Sequence, residues 1–253
     1  MPKVAIVAAL ERELSGLTRS SSRVEQQYDG RQFVFIERDE LVAVAGGIGM
    51  QAARRAAEAV IALYRPTRIQ SVGFAGALDA GLHVGDLFTP TVVIDARYGS
   101  RVEIDGDPRK TQSVLVTFME VAGEQQKRSL AKAYAAQAVD MEAAAVAAAA
   151  QEHGIAFGAT KVISDELGFE MPEMSRFIDS SGQFETGSFV AFAVMRPWLW
   201  KRVAQLAVNS RKAEKGLGEH LERFRQELTQ ARELNGISIV ESVPRSQTGV
   251  KRI

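Results

Sequence analysis

Apolar and polar positions along this chain fall into blocks that alternate between strand and helix periods. Lys3–Ala9 (KVAIVAA) is continuously apolar, which predicts a central strand buried on both faces. Val24–Tyr28 and Arg31–Glu37 flank Asp29–Gly30, a hairpin turn signal. Arg38–Asp39–Glu40 turns again into the apolar Leu41–Ala45, so three antiparallel strands are expected here. Met50–Tyr64 changes to helical spacing, with Ala52, Ala53, Ala56, Ala57 and Val60 forming a small-residue face, and stops at Arg65–Pro66. Strands are expected at Arg68–Gly73, Leu87–Ile94 and Ser113–Phe118, and a charged helix at Glu124–Tyr134. The polar, turn-rich Arg101–Gln112 reads as a surface loop.

The chain is organised around Ala138–Glu166. A brief apolar strand (Ala138–Val139) leads into an alanine-rich helix, Met141–His153, followed by Gly154, the residue expected just past a helix end. Ile155–Ile163 is apolar enough for a buried strand, and Ser164–Asp165–Glu166 breaks it. Beyond this unit, Gly168–Gly187 reads as a long loop with apolar teeth (Met171, Met174, Phe177, Phe184), and Phe189–Trp200 is strongly apolar. Ser210–Arg232 carries the stripe Leu217, Leu221, Phe224, Leu228, an amphipathic helix face for packing or association. Asn235–Ile253 reads as a loose tail. The alternation of elements implies an α/β fold, a three-layer α/β/α sandwich on a mixed central β-sheet. Its domain covers residues 1–205, followed by the amphipathic helix and tail at 206–253.

Composition narrows the chemistry. The 31 basic residues balance 31 acidic ones, which argues against a dedicated nucleic-acid binder. No cysteine is present, so disulfides, thiolate nucleophiles and zinc–thiolate sites are excluded. His83, His153 and His220 are scattered and make no metal spacing. No window approaches the roughly 20 apolar residues of a membrane span. The default reading is a soluble cytoplasmic protein, with Phe189–Trp200 available for an oligomer interface or peripheral membrane contact.

Carboxylates mark the ends of the central unit: Asp140 and Glu142 where the helix starts, Asp165 and Glu166 where the strand stops. Ligands in α/β sheets bind at such carboxyl ends of strands. Asp140 by itself reads best as an N-cap. Glu13, just past the first strand, is either a site residue or an acid in the exposed first turn of a helix. The Gly46–Gly47–Ile48–Gly49 loop could present backbone N–H groups to an anion or a sugar hydroxyl, or could be a tight turn with no ligand.

Five stretches, taken together, carry a resemblance. KVAIVAALERE, AVAGGIG, VGFAGAL with LHVGDL, DARY, and VDMEAAAV with KVISDE occur in the order found in the nucleoside phosphorylase / nucleosidase family (purine nucleoside phosphorylase–uridine phosphorylase type). The chain most resembles the 5′-methylthioadenosine/S-adenosylhomocysteine nucleosidase branch, over Lys3 to Glu166. The resemblance implies cleavage of the N-glycosidic bond of a purine nucleoside, a 5′-modified adenosine, by hydrolysis. Glu13 would activate water. Met141 and Glu142 would grip the ribose, Glu142 accepting from its hydroxyls, with Gly47 in the glycine turn beside it. Asp165 would protonate N7 of the departing purine with Ser164 as its orienter, and Phe118 would stack on the base. These residue types suit an oxocarbenium-like transition state: a carboxylate near the sugar, a base for water, and an acid of raised pKa for the leaving group. No cofactor or metal is implied. The partners are a small-molecule nucleoside and further copies of the chain in a homo-oligomer, a dimer or larger.

Departures from the family pattern leave alternatives. Phe74 stands where the branch has serine, and Lys161 where arginine is usual, without arginine's fork. Arg101–Gln112 is shorter than the loop that closes over the 5′ group. Phosphate, as co-substrate, could replace water if the glycine loop and Arg12, Arg54 or Arg55 held it. Related branches accept long apolar 5′ groups, as in adenosyl-hopanoids. A catalytically silent nucleoside-binding protein is the non-enzymatic alternative.

Overall fold

The computed structural model describes residues 4–18, 21–104, 112–170, 175–179 and 182–241. Its centre is a mixed 11-stranded sheet. The strands are β1 (Val4–Ala8), β2 (Ser22–Tyr28), β3 (Arg31–Arg38), β4 (Leu41–Ala45), β5 (Arg68–Ala77), β6 (Leu87–Phe88), β7 (Val92–Asp95), β8 (Arg101–Glu103), β9 (Val114–Thr117), β10 (Ala138–Asp140) and β11 (Ala156–Asp165). Among the described residues, five α-helices accompany them: α1 (Met50–Tyr64), α2 (Glu124–Tyr134), α3 (Ala143–Glu152), α4 (Thr186–Val194) and α5 (Trp200–Glu241).

The sheet runs β2-β3-β4-β1-β5-β10-β9-β7-β8, and β11 pairs with β5 and β6. β1, β4, β5 and β11 are parallel, while β10 meets β5 antiparallel. The predicted hairpin β2–β3 and its antiparallel neighbour β4 are present, turning at Asp29–Gly30 and Asp39.

The two faces of the sheet follow the two-residue period of a strand. Ala5 and Val7 of β1, with Val42 and Val44 of β4, join the cluster that packs on α1 and α3. Val4, Ile6 and Ala8, with Leu41 and Ala43, join the opposite cluster, made with Leu14, Leu17 and Ala213, Leu217 and Leu221 of α5. Helices on both faces give the three layers. The small alanine faces of α1 and α3 let these helices meet closely over the sheet.

Several boundaries differ from the sequence reading. Leu87–Ile94 is two strands, because Pro90 lacks the N–H that a continuous ladder needs. Arg101–Glu103 is a strand paired with β7, not loop; residues 105–111 of the expected loop lie outside the described residues. Within Gly168–Gly187, a 3-10 helix at Ser175–Phe177 and an isolated bridge Ile178↔Phe184 add local order, while Met171 and Met174 lie outside the described residues. α5 runs on through the 205/206 boundary and through Asn235–Glu241, the first part of the expected tail; residues 242–253 lie outside the described residues. The stripe on α5 is a packing face: Leu217 and Leu221 are buried, and Phe224 and Leu228 pack beside them. Among the described residues no helix is long and apolar enough to cross a membrane.

Candidate active site

The carboxyl ends of β1, β4, β10 and β11 converge with the middle of β5, and the candidate residues come from the segments that leave these ends. After β1 the chain enters a 3-10 helix, Glu11–Leu17, that turns Glu13 inward. Its carboxylate is buried and accepts three backbone N–H groups: Ala9 at 2.9 Å and Leu10 at 2.8 Å on Oε2, and Phe74 at 3.1 Å on Oε1. Burial pushes its pKa up, and the Leu10 amide and the Lys161 ammonium pull it back. Glu13 is thus not an exposed helix-start acid. Gly73 is opposite it on β5, with φ +144°.

β10 ends at Asp140, and the chain makes a turn through Met141 and Glu142 before α3 begins at Ala143, two residues later than Met141. Asp140 is buried. Its Oδ1 accepts the Thr117 hydroxyl at 2.6 Å, and its Oδ2 accepts the Ala143 N–H at 2.8 Å and faces the Lys161 ammonium at 2.8 Å. Glu142, not Asp140, holds the N-cap position of α3; Asp140, two residues earlier, accepts the first N–H of the helix and also holds Lys161. Burial would lower the pKa of Lys161, but Asp140, Glu142 and Glu13 raise it above its ordinary value. Lysine here is a point charge shared among carboxylates, so the fork of an arginine is not what this pocket uses. Lys161 also donates to Ser71 Oγ at 3.2 Å.

Glu142 is buried beside this group. Burial first, then repulsion by Asp140, raise its pKa to about 7. Its Oε1 accepts the Gly49 N–H at 2.8 Å, which ties it to the glycine loop. Met141 is half-buried.

The glycine loop corrects the expectation of free amide donors. Gly46 and Gly47 donate to the carbonyls of Ala8 and Ala9 at 2.9 and 3.0 Å, Ile48 donates to Gly182 at 2.7 Å, and Gly49 is bound to Glu142. Every N–H from Gly46 to Gly49 is committed within the protein, and Gly47 has none to offer a ligand. The arginines proposed to help are placed no better: Arg54 is paired with Glu58 and Glu152, and exposed Arg12 lies over the Phe74 ring, 5.4 Å from its centroid.

Asp165 closes β11 just after an irregularity in its register with β5. Ser164 Oγ donates to Asp165 Oδ1 at 2.7 Å. The other oxygen, Oδ2, is ion-paired with Lys127 of α2, and Lys127 also donates to the Glu166 carbonyl at 2.7 Å. Both groups are buried. Asp165 is therefore paired with a buried lysine rather than standing alone in an apolar pocket. Sequence reasoning missed Lys127, one of several charges on a helix read simply as charged. The signal was present: Lys127, Leu130 and Tyr134 are spaced as one inward stripe.

Phe74 contributes its N–H to Glu13, while its ring packs half-buried on the α5 side of the sheet. Phe118 donates its N–H to the Asp140 carbonyl at 2.8 Å and packs its ring beside β7, β9 and α2. The carboxylates themselves form two neighbouring groups along β5. Glu13 lies against Gly73, and Asp165 against Gly76, three residues further on and about 10 Å along the strand. A cavity of about 860 Å³ between Ser15–Gly16 and Arg211–Arg223 of α5 contains none of these carboxylates.

Comparison with known proteins follows the same residues. Residues 3–120 and 113–188 match the Phosphorylase superfamily, and the chain belongs to that family. A 5′-methylthioadenosine/S-adenosylhomocysteine nucleosidase from Halalkalibacterium halodurans is 37% identical over 100 residues, a match that spans 37% of this chain and 42% of that relative. Among solved structures, the 5′-methylthioadenosine/S-adenosylhomocysteine nucleosidase of Helicobacter pylori superposes with TM-score 0.61 at 17% identity, covering 88% of this chain and 99% of that one. That of Neisseria meningitidis, bound to methylthio-immucillin-A, gives 0.60 at 18% identity, covering 88% and 100%. These likenesses establish the shared fold.

Proposed function

We propose that this chain hydrolyses the N-glycosidic bond of a purine nucleoside, a 5′-substituted adenosine of the kind named for its relatives, releasing the free base. Glu13 takes a proton from the attacking water. Glu142 holds the ribose hydroxyls, with Met141 against the sugar, and its negative charge stabilises the cationic sugar of the transition state. Asp165, oriented by Ser164, serves the departing base. No cofactor enters the reaction.

The observation that carries hydrolysis over phosphorolysis is the environment of the nucleophile. Glu13 is a buried carboxylate with two backbone amides on Oε2 and one on Oε1, which leaves Oε1 a further acceptor position for water, and Glu142 lies in the same electrostatic group. The Gly46–Gly49 amides, the natural cradle for a phosphate, are all committed. A phosphate dianion there would face carboxylates without free amide donors, whereas water meets a base.

The exposed corner formed by Val194, Met195, Trp198 and Trp200 supports an association face, and the chain is read as a homo-oligomer in the cytoplasm. Light scattering on the purified protein, with and without substitution of Trp198 and Trp200, tests that assembly.

Purified protein incubated with 5′-substituted adenosines and inosines, with and without phosphate, tests the reaction. Free base and free sugar without phosphate are expected. Sugar 1-phosphate formed only with phosphate would overturn hydrolysis, and no base from any substrate would favour a silent nucleoside-binding protein.

A further inference from the structure

Lys127 does nothing for the helix that carries it. It sits in the first turns of α2, where the helix dipole disfavours a cation. It is buried, with about 1% of its side chain exposed, and burying an ammonium is costly unless it is paired. Its Nζ reaches across the fold, to Asp165 Oδ2 at the end of β11 and to the Glu166 carbonyl just past it. β5 makes room for this meeting. A Cβ on Gly76 would come within 2.9 Å of Asp165 Oδ2 and 3.1 Å of Lys127 Cε. Three elements are thus shaped around one lysine–carboxylate pair.

We propose that Lys127 is a positioning residue that supplies, through Asp165, the proton taken by the departing base. The inference rests on the nucleosidase reading and deepens it. A purine leaves poorly as an anion, so its ring nitrogen must gain a proton as the C–N electron pair moves onto the ring. Asp165 has Lys127 Nζ against Oδ2 and the Ser164 hydroxyl on Oδ1, so the buried lysine is in direct contact with the carboxyl that faces the base and can relay a proton through it. In the step, Asp165 takes a proton from Lys127 and passes it to the ring nitrogen. The C–N bond breaks with its electrons on the purine, Asp165 returns to carboxylate, and Lys127 is left as a neutral amine. Water addition at the sugar, with Glu13 as base, completes the reaction. Solvent reprotonates Lys127 before the next turnover.

Two variants and two substrates test this. Lys127→Arg keeps the positive charge but cannot release a proton at any working pH. Lys127→Met removes both. The substrates are 5′-methylthioadenosine and a 4-nitrophenyl riboside carrying the same 5′ group, whose leaving group departs without protonation. Both variants are expected to lose about 10²- to 10⁴-fold in kcat on the nucleoside, the usual range for a lost acid, with KM little changed. On the nitrophenyl riboside the loss is expected to stay under about tenfold, smaller than a lost acid would cost. Equal losses on both substrates would show that Lys127 serves structure alone and overturn the proposal, as would full activity of folded Lys127→Arg on the nucleoside. If Lys127→Met does not fold, the Arg variant alone decides. Wild-type protein that cleaves neither substrate would instead overturn the nucleosidase reading, and this inference with it.

Discussion

Gly73 faces Glu13 so closely that a Cβ on Gly73 would lie 3.0 Å from Glu13 Oε1 and 3.2 Å from Oε2, and the carboxylate would have to give way by a few tenths of an ångström. The backbone of Gly73, at φ +144°, is also one that other residues rarely adopt. Gly73→Ala is therefore expected to displace the carboxylate from its amide partners. The strain should cost about 1–3 kcal/mol of stability and lower kcat far more than KM. Thermal melts and steady-state kinetics on the same preparation check both parts.

Glu13→Gln keeps the shape and removes the base. Its carbonyl oxygen can still accept from Ala9 and Leu10, but the amide group would then meet the Phe74 N–H as another donor. A cost of about 1–3 kcal/mol is expected from that one unsatisfied bond. The rate should fall about 10²- to 10⁴-fold, while a nucleoside analogue that resists hydrolysis still binds in calorimetry.

Asp165→Asn removes the carboxylate and leaves the Lys127 ammonium buried without its counter-charge. Breaking a buried pair in this way costs about 3–5 kcal/mol, so a marked drop in chemical-denaturation midpoint is expected along with loss of base release. Pairing the substitution with Lys127→Met should recover much of the stability and none of the activity.

Glu142 makes stability depend on pH in a known direction. Its pKa rises from 4.5 unfolded to about 7 folded, by burial and then by Asp140. Between these values the native state holds the proton more tightly than the unfolded chain. The stability contribution is thus fully present below pH 4.5 and is lost as pH rises through about 7. Glu142→Gln, which carries no titrating group, should flatten this decline. Urea denaturation at intervals between pH 4.5 and 8 measures it, and a slope unchanged by the substitution would count against the assignment.

α5 is predicted to be part of the core rather than an appendage. Leu221 is fully buried with Leu217 against β1, β4 and the Glu11–Leu17 turn. Leu221→Ala should cost about 2–5 kcal/mol, read as a lower melting temperature of the whole catalytic domain in a single transition.

Much of this protein was legible in its sequence, because the signals involved are local. Apolar runs and period changes placed most strands and helices. The alternation of β1, with Ala5 and Val7 to one face and Ile6 and Ala8 to the other, is a property of any extended chain. The order of motifs placed Glu13, Glu142 and Asp165 at strand ends. What the sequence could not express is which polar groups satisfy one another once buried. Lys127 and Asp165 are 38 residues apart and meet only because α2 and β11 converge on Gly76. The N–H groups of Gly46–Gly49 look available on paper, yet the fold binds each of them to β1 and its following turn, to Gly182 or to Glu142. The physical reason is the same in both cases. Residue pattern determines where a chain is apolar, but a charge or an amide removed from water takes whichever partner the tertiary structure brings to it, and that choice decides the chemistry of the pocket.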